Sequence, residues 1–315
     1  MNEINGVPKP ERLFTMDNSV NNDFISEIHV NNNFGVSLNS KNLVHVHKLP
    51  DFQIIKQKQL SSVITFFVDD NNNIIVLHST RPMIFDLNFE IINSSMKRPN
   101  FQNHFERYQF LSSDYYDNLL VAGTSNSGLC LWDIRSSSIP NVLTLKRSYQ
   151  IQSVLINKDI IIVGCENGSI SILDPRNMNK KVDTFDIFSN LITSKIKTKP
   201  NFSLSKNKNE PWIIGFQFSC GYSGIFDLMS KRVTNIINAP KNNVNEQKYI
   251  KPKPLFYGDN LCVGYPFSNT LQSINFHNNS IKEIELENAP ISFDYCNEYD
   301  GLFVCSSTGD IYNVR

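Results

Sequence analysis

The chain has 315 residues, with 30 Lys and Arg balanced by 30 Asp and Glu, a net charge of zero and a pI of about 7.0. That balance excludes a globally basic nucleic-acid binder and an acidic tail protein, although local patches remain open. Hydrophobic residues at 40% are enough for a sizeable core, while Asn runs such as Asn31–Asn33 and Asn71–Asn73 replace charge at a charged fraction of only 19%.

The stretch from Met1 to Pro8 carries neither a basic n-region nor an apolar h-region, so it does not read as a secretory signal. No apolar run approaches the ~20 residues of a membrane span. The six cysteines, Cys130, Cys165, Cys220, Cys262, Cys296 and Cys305, form no CxxC pair and no disulfide framework. They read as reduced, buried and strand-borne in a cytoplasmic or nuclear protein.

Apolar residues come in short Ile-, Val-, Phe- and Leu-rich runs broken by Asn, Asp, Gly, Ser and Pro. Such runs predict an all-β protein of many short strands. Near the N-terminus, Arg12–Met16 is a strand separated from the rest. One strand type then recurs along the chain, a polar or Gly-containing turn followed by alternating residues and a polar end: Asn42–His47, Pro82–Leu87, Gly128–Asp133, Gly168–Asp174, Gly221–Asp227, Thr270–Asn275 and Gly309–Val314. Gly128 and Gly168 stand 40 apart, and the other spacings are roughly 40–55, the length of a propeller repeat. A second strand precedes each copy and often ends in a small residue, as in Asn118–Thr124, Asp159–Cys165, Asn260–Gly264 and Gly301–Ser307. Another lies upstream, as in Ile151–Ile156 and Ile291–Tyr295, and a weaker fourth follows, as in Val142–Leu145.

The residues Gly128-Leu129-Cys130-Leu131-Trp132-Asp133-Ile134-Arg135 resemble the WD-repeat (WD40) family, whose third strand ends in Trp-Asp. The pattern covers nearly the whole chain, 1–315, but only this copy keeps Trp-Asp, and no Gly-His dipeptide occurs, so the chain is similar to a divergent member. The resemblance implies a single seven-bladed β-propeller domain. Because the chain ends at Arg315 directly after the seventh third strand, the Arg12–Met16 segment is expected to close the last blade, an arrangement that removes an open sheet edge.

Signatures of catalysis are missing: no GxSxG, GxxxxGK[ST], HExxH or GxGxxG occurs. His45 and His47 are two apart on one strand and so share a face, but nothing nearby completes a metal site. No enzyme, cofactor or metal is expected. Arg135 follows Trp132-Asp133-Ile134, and about forty residues on Leu173-Asp174-Pro175-Arg176 fills the same slot. Two adjacent blades would thus present an Arg on the face of the third-to-fourth-strand turns. This resembles the WDxR box of propellers that act as substrate receptors of cullin-RING ubiquitin ligases, whose arginines contact the ligase adaptor; an ordinary surface Arg pair is the plainer account. The phosphoinositide-binding motif of the family is absent.

Three connections are long: 90–104 with Lys97 and Arg98, 195–210 with Lys197, Lys199, Lys206 and Lys208, and 240–254 with Lys241, Lys248, Lys251 and Lys253. Strand order places the first and third on the face of the inter-blade loops and the second on the opposite face. Their lysines raise local potential and are candidates for RNA, phosphate or an acidic partner, although lysine without interleaved arginine and aromatic residues is a weak nucleic-acid signal. The reading is a non-enzymatic interaction scaffold, a WD-repeat subunit of a multiprotein complex. Its partner-binding candidates are Arg135, Arg176, Lys97, Arg98, Lys241, Lys248, Lys251 and Lys253. A ligase receptor and an RNA- or phosphate-contacting subunit are the alternatives.

Overall fold

A computed structural model describes residues 10–15, 23–31, 33–100, 108–145, 149–187, 201–219, 221–238, 253–265 and 268–314. These form 28 strands in seven four-stranded antiparallel sheets, the number expected from seven third strands. Strand β1 (Glu11–Thr15) opens the chain. The first sheet is β2 (Ile25–Val30), β3 (Phe34–Asn39), β4 (Leu43–Lys48) and β5 (Gln53–Gln59). The second is β6 (Val63–Val68), β7 (Ile74–His78), β8 (Pro82–Phe85) and β9 (Ile91–Asn93). The third is β10 (Phe110–Tyr116), β11 (Leu119–Thr124), β12 (Gly128–Asp133) and β13 (Asn141–Thr144). The fourth is β14 (Ile151–Ile156), β15 (Ile161–Cys165), β16 (Ser169–Asp174) and β17 (Asn177–Asp186). The fifth is β18 (Phe202–Lys206), β19 (Ile213–Phe218), β20 (Tyr222–Asp227) and β21 (Arg232–Asn238). The sixth is β22 (Leu255–Tyr257), β23 (Asn260–Gly264), β24 (Thr270–Asn275) and β25 (Ile281–Glu285). The seventh is β26 (Pro290–Cys296), β27 (Gly301–Ser306) and β28 (Asp310–Val314), completed by β1.

Two compact units divide the chain, one of residues 1–60 with 237–315 and one of residues 61–236. In the first, β1 pairs antiparallel with β28, Glu11 opposite Asn313 and Thr15 opposite Asp310, as the missing outer strand required. Arg12 ion-pairs with Glu287, and its guanidinium lies over the Tyr312 ring at 5.8 Å.

At five of the seven third strands, the polar residue at the end has a local task. Its side-chain oxygen accepts the backbone N–H two residues on: Asp86 from Asn88, Asp133 from Arg135, Asp174 from Arg176, Asp227 from Met229 and Asn275 from His277. This is the Asx-turn, which closes the turn into the fourth strand. Several third strands are entered through a residue at positive φ, such as Gly168 at 79° and Gly309 at 84°. The matching residue before β12 is Ser127, at 60°, so Gly128 is already in the strand and the repeat register there shifts by one.

The small residues of the second strands mark where the next sheet crosses. A Cβ on Gly123 would come within 2.2 Å of Ile151 Cγ2 in the fourth sheet, and one on Gly264 within 3.0 Å of Phe293 and Pro290 in the seventh. Side chains of three first strands bond the backbone of the next first strand in the same unit. In the second unit, Ser153 Oγ accepts Leu204 N–H at 3.0 Å and Asp114 Oδ2 accepts Ile156 N–H at 2.8 Å. In the first unit, Ser292 Oγ accepts Ile28 N–H at 3.2 Å and Asp294 Oδ2 accepts Val30 N–H at 2.8 Å.

The described cysteines, Cys130, Cys165, Cys262, Cys296 and Cys305, are buried and in strands; Cys220 lies outside the described residues. No helix among the described residues is long and apolar enough to cross a membrane.

Trp132 is 1% exposed, and its ring packs among Phe67, Ile75, Leu77, Met96 and Phe110. Its Nε1–H donates to Lys97 O at 3.1 Å. Trp132→Ala is expected to cost ~3–5 kcal/mol, the usual loss for a large core aromatic. Thermal and denaturant melting test this, and an unchanged midpoint would contradict the buried placement.

Candidate functional site

In the unit of residues 61–236, the turns between first and second strands of four successive sheets surround a cavity of about 1080 Å³. These turns contribute Asp69–Asn71, Tyr116–Asn118, Asn157–Ile160 and, from Lys206 to Trp212, a longer connection. The β20–β21 turn adds Leu228 and Met229, and β17 adds Val182, Asp183 and Phe185. The third-strand turns lie at this same end because they bond to the first-strand turns. Ile134 N–H donates to Asn118 O at 2.9 Å, and Leu228 N–H to Trp212 O at 2.9 Å.

The lining is both apolar and charged. Trp212 is 44% exposed and Met229 77%, large apolar groups at the mouth of the cavity rather than in the core. Five aspartates, Asp69, Asp70, Asp117, Asp159 and Asp183, stand against three lysines, Lys158, Lys206 and Lys208. Asp69 closes its own turn by accepting from Asn71 N–H, Asn73 N–H and Asn73 Nδ2. Asp183 pairs with Lys231 at 2.7 Å, and that ammonium also lies 5.5 Å from the Phe185 ring centroid. Burial raises the Tyr115 phenol above its ordinary value; the bond from Asn118 N–H lowers it, and the Asp69, Asp70 and Asp117 carboxylates raise it further. The acidic field therefore reaches into the cavity wall.

Lys206 is a strand residue at the end of β18, not a loop cation. Its ammonium donates to Asp114 Oδ2 at 2.6 Å, to Ile156 O at 2.9 Å and to Tyr115 O at 3.2 Å, tying three consecutive first strands together. The 195–210 stretch is thus interrupted by a strand. Lys208 sits on the turn at the cavity end as expected for that stretch, while Lys197 and Lys199 lie outside the described residues.

Arg135 and Arg176 occupy equivalent turns of the third and fourth sheets, as their spacing required. Arg135 is exposed, but its fork is filled by its own neighbour: Nε donates to Asp133 Oδ1 at 2.9 Å and Nη2 to Oδ2 at 2.7 Å. These bonds hold the Asp133 carboxyl below the usual carboxylate range. Arg176 is exposed and shares the backbone turn. Met229 fills the same slot in the fifth sheet, two residues after Asp227. The recurring Asp could have flagged it, whereas Trp212 belongs to no repeat pattern.

Lys97 and Arg98 are exposed on a segment that is not a free loop. It begins with β9 and continues as an extended strap, with Met96 and Pro99 buried, against the third sheet. Besides the Trp132–Lys97 bond, Asn93 Nδ2 donates to Ile134 O at 3.2 Å. Lys253 is exposed; Lys241, Lys248 and Lys251 lie outside the described residues.

His45 and His47 share a face, and that face is interior: they are 4% and 0% exposed. The Phe52 carbonyl can only accept, so His47 Nδ1 donates to it at 3.0 Å and Nε2 accepts from Ser37 Oγ at 2.8 Å. Among the described residues no group of three or more His, Cys, Asp or Glu gathers as a metal site.

Two stability predictions follow from these contacts. Burial lowers the His47 pKa to about 4, with the Phe52 bond opposing and the His45 charge adding. A group neutral in the fold but ionising near 6.5 when unfolded favours the unfolded chain as pH falls. Stability should therefore drop from about pH 6.5 down to about 4, by on the order of 3 kcal/mol from this residue. Melting of His47→Gln against wild type across that range should show a shallower slope in the variant, and equal slopes would contradict this. Separately, Lys206→Met should cost about 2–4 kcal/mol by leaving Asp114 half-buried and unpaired, and the double change with Asp114→Leu should recover part of that loss. A double variant no better than Lys206→Met alone would refute the pairing.

No family model matches the chain, and no curated protein does. Solved structures do match it. The WD40 domain of Neurospora crassa Pan2 aligns with a TM-score of 0.72 over 99% of this chain and 97% of that one, at 10% identity. The computationally designed Ika8 protein aligns with a TM-score of 0.65 over 96% and 99%, at 11% identity. At such identities the likeness is one of fold. With its seven four-stranded sheets and its N-terminal strand completing the last of them, the chain has the seven-bladed β-propeller fold of a WD40 domain.

Proposed function

We propose that the chain is a non-enzymatic interaction scaffold, a subunit that holds other proteins through the turn end of its second unit. The observation that carries this reading is the exposure of Trp212 and Met229 at the mouth of the cavity. Large apolar residues in a rigid β framework cost solubility when left open to water. Trp and Met are also enriched at protein interfaces, and Trp is among the commonest residues to dominate binding energy. Strand-borne walls and Asx-closed turns support presentation without rearrangement, since little order has to be gained on binding. The WD40 fold is consistent with such a role.

A second reading, contact with a ubiquitin-ligase adaptor, rests on the matched turns of Arg135 and Arg176. Arg135 would have to exchange its Asp133 partner for one on the adaptor, which offsets much of the gain.

Co-purification separates the two. Tagged wild-type chain is compared with Trp212→Ala/Met229→Ala and with Arg135→Ala/Arg176→Ala, after matching their melting midpoints. The scaffold reading expects the first double variant to lose the main co-purifying protein and the second to retain it. Retention by the first and loss by the second would reverse the assignment.

A further inference from the structure

The cavity has three features that bear on what it holds. The first is charge. Lys206 is neutralised by Asp114 and Asp183 by Lys231, while Asp70, Asp117 and Asp159 are exposed, one on each of three successive turns. The lining as a whole carries five carboxylates and three ammonium groups in a protein of zero net charge. The second is the apolar side formed by Trp212, Met229 and Val182, all exposed.

The third is an unmet donor. Asn207 lines the cavity and is 3% exposed. Its Oδ1 accepts Asn209 N–H at 2.9 Å and Glu210 N–H at 3.2 Å, which fixes the amide, yet its buried Nδ2 has no partner among the described residues. A buried N–H₂ without an acceptor is costly, and a ligand carbonyl would relieve it.

We propose that this cavity takes an extended segment of a partner protein in which a basic side chain stands beside an apolar one. The basic group lies among Asp70, Asp117 and Asp159, the apolar group against Trp212 and Met229, and a backbone carbonyl meets Asn207 Nδ2. Rigid main-chain walls suit an extended strand, whose alternate side chains face opposite ways so that two neighbouring residues reach the acidic and apolar sides at once. A polyanion such as RNA, or a phosphopeptide, is disfavoured by the excess of carboxylate. The proposal rests on the scaffold reading and specifies its partner.

The test uses the full chain and fluorescent capped peptides of about eight residues, long enough to cross such a cavity when extended. Their central pair is Arg-Leu, Lys-Leu, Gln-Leu, Glu-Leu or phosphoserine-Leu, and an oligouridylate serves as the nucleic-acid arm. The Arg and Lys peptides should bind at least about tenfold tighter than the Gln and Glu peptides, the weight of one well-placed charge pair. That preference should collapse in Asp117→Asn/Asp159→Asn, and Trp212→Ala should weaken every peptide. Both aspartates are exposed and Asn accepts the positive φ of Asp117, so the variant should melt like wild type. The proposal is overturned if the Glu peptide, the phosphopeptide or the oligouridylate binds as well, if the basic preference survives in the double Asn variant, or if no peptide binds. Should no peptide bind while Trp212→Ala/Met229→Ala still loses its co-purifying protein, the partner chemistry is wrong and the scaffold reading stands. Should both fail, the scaffold reading fails with it.

Discussion

At one junction in each unit, the packing depends on how closely the first strand of the next sheet can approach its neighbour. Gly123 and Gly264 have no side chain because Ile151 in one case, and Phe293 with Pro290 in the other, fill the space a Cβ would need. Once the strands are that close, a Ser or Asp on one first strand can accept a backbone N–H from the next, as Ser153, Asp114, Ser292 and Asp294 do. Backbone groups that would otherwise point into a gap between sheets are thereby satisfied. The same two contacts appear in both units although their sequences differ, so the repeat is conserved in geometry rather than in letters.

The candidate site follows from that packing. First strands held in step bring their turns to one end, and in the second unit four of them enclose the cavity. Lys206 spans three of these strands and so is part of the wall, leaving the exposed carboxylates of Asp70, Asp117 and Asp159 to face whatever enters. Third-strand turns, closed by their terminal Asp or Asn, set the residue two positions later outward, which is why Arg135, Arg176 and Met229 are equivalent despite their different chemistry.

Much of the fold was legible in the sequence because its signals are local. Alternating apolar runs each report one strand, seven recurring third strands give seven sheets, and a terminal Asp or a small second-strand residue marks several of them. The outer strand missing after Val314 and the spare one at Glu11–Thr15 likewise belong to one count. The site was legible only in part. Arg135 and Arg176 could be placed from spacing, but whether a guanidinium is free depends on its neighbour, and Asp133 occupies that of Arg135. Lys206 was hidden because a short strand, Phe202–Lys206, sits inside a lysine-rich stretch that reads as loop. Trp212 was hidden because it lies outside the repeat, and only its exposure beside Met229 distinguishes it from a core tryptophan such as Trp132.

The account stands or falls on which end of the second unit meets a partner. Hydrogen–deuterium exchange of the chain, alone and in complex with its principal co-purifying protein, measures this directly. The account predicts slowed exchange on complex formation in the turns at 69–73, 116–118, 157–160 and 207–212 and around Met229, with the opposite turns at 124–127 and 165–168 unchanged. Protection confined to those opposite turns, with none around Trp212, would contradict it.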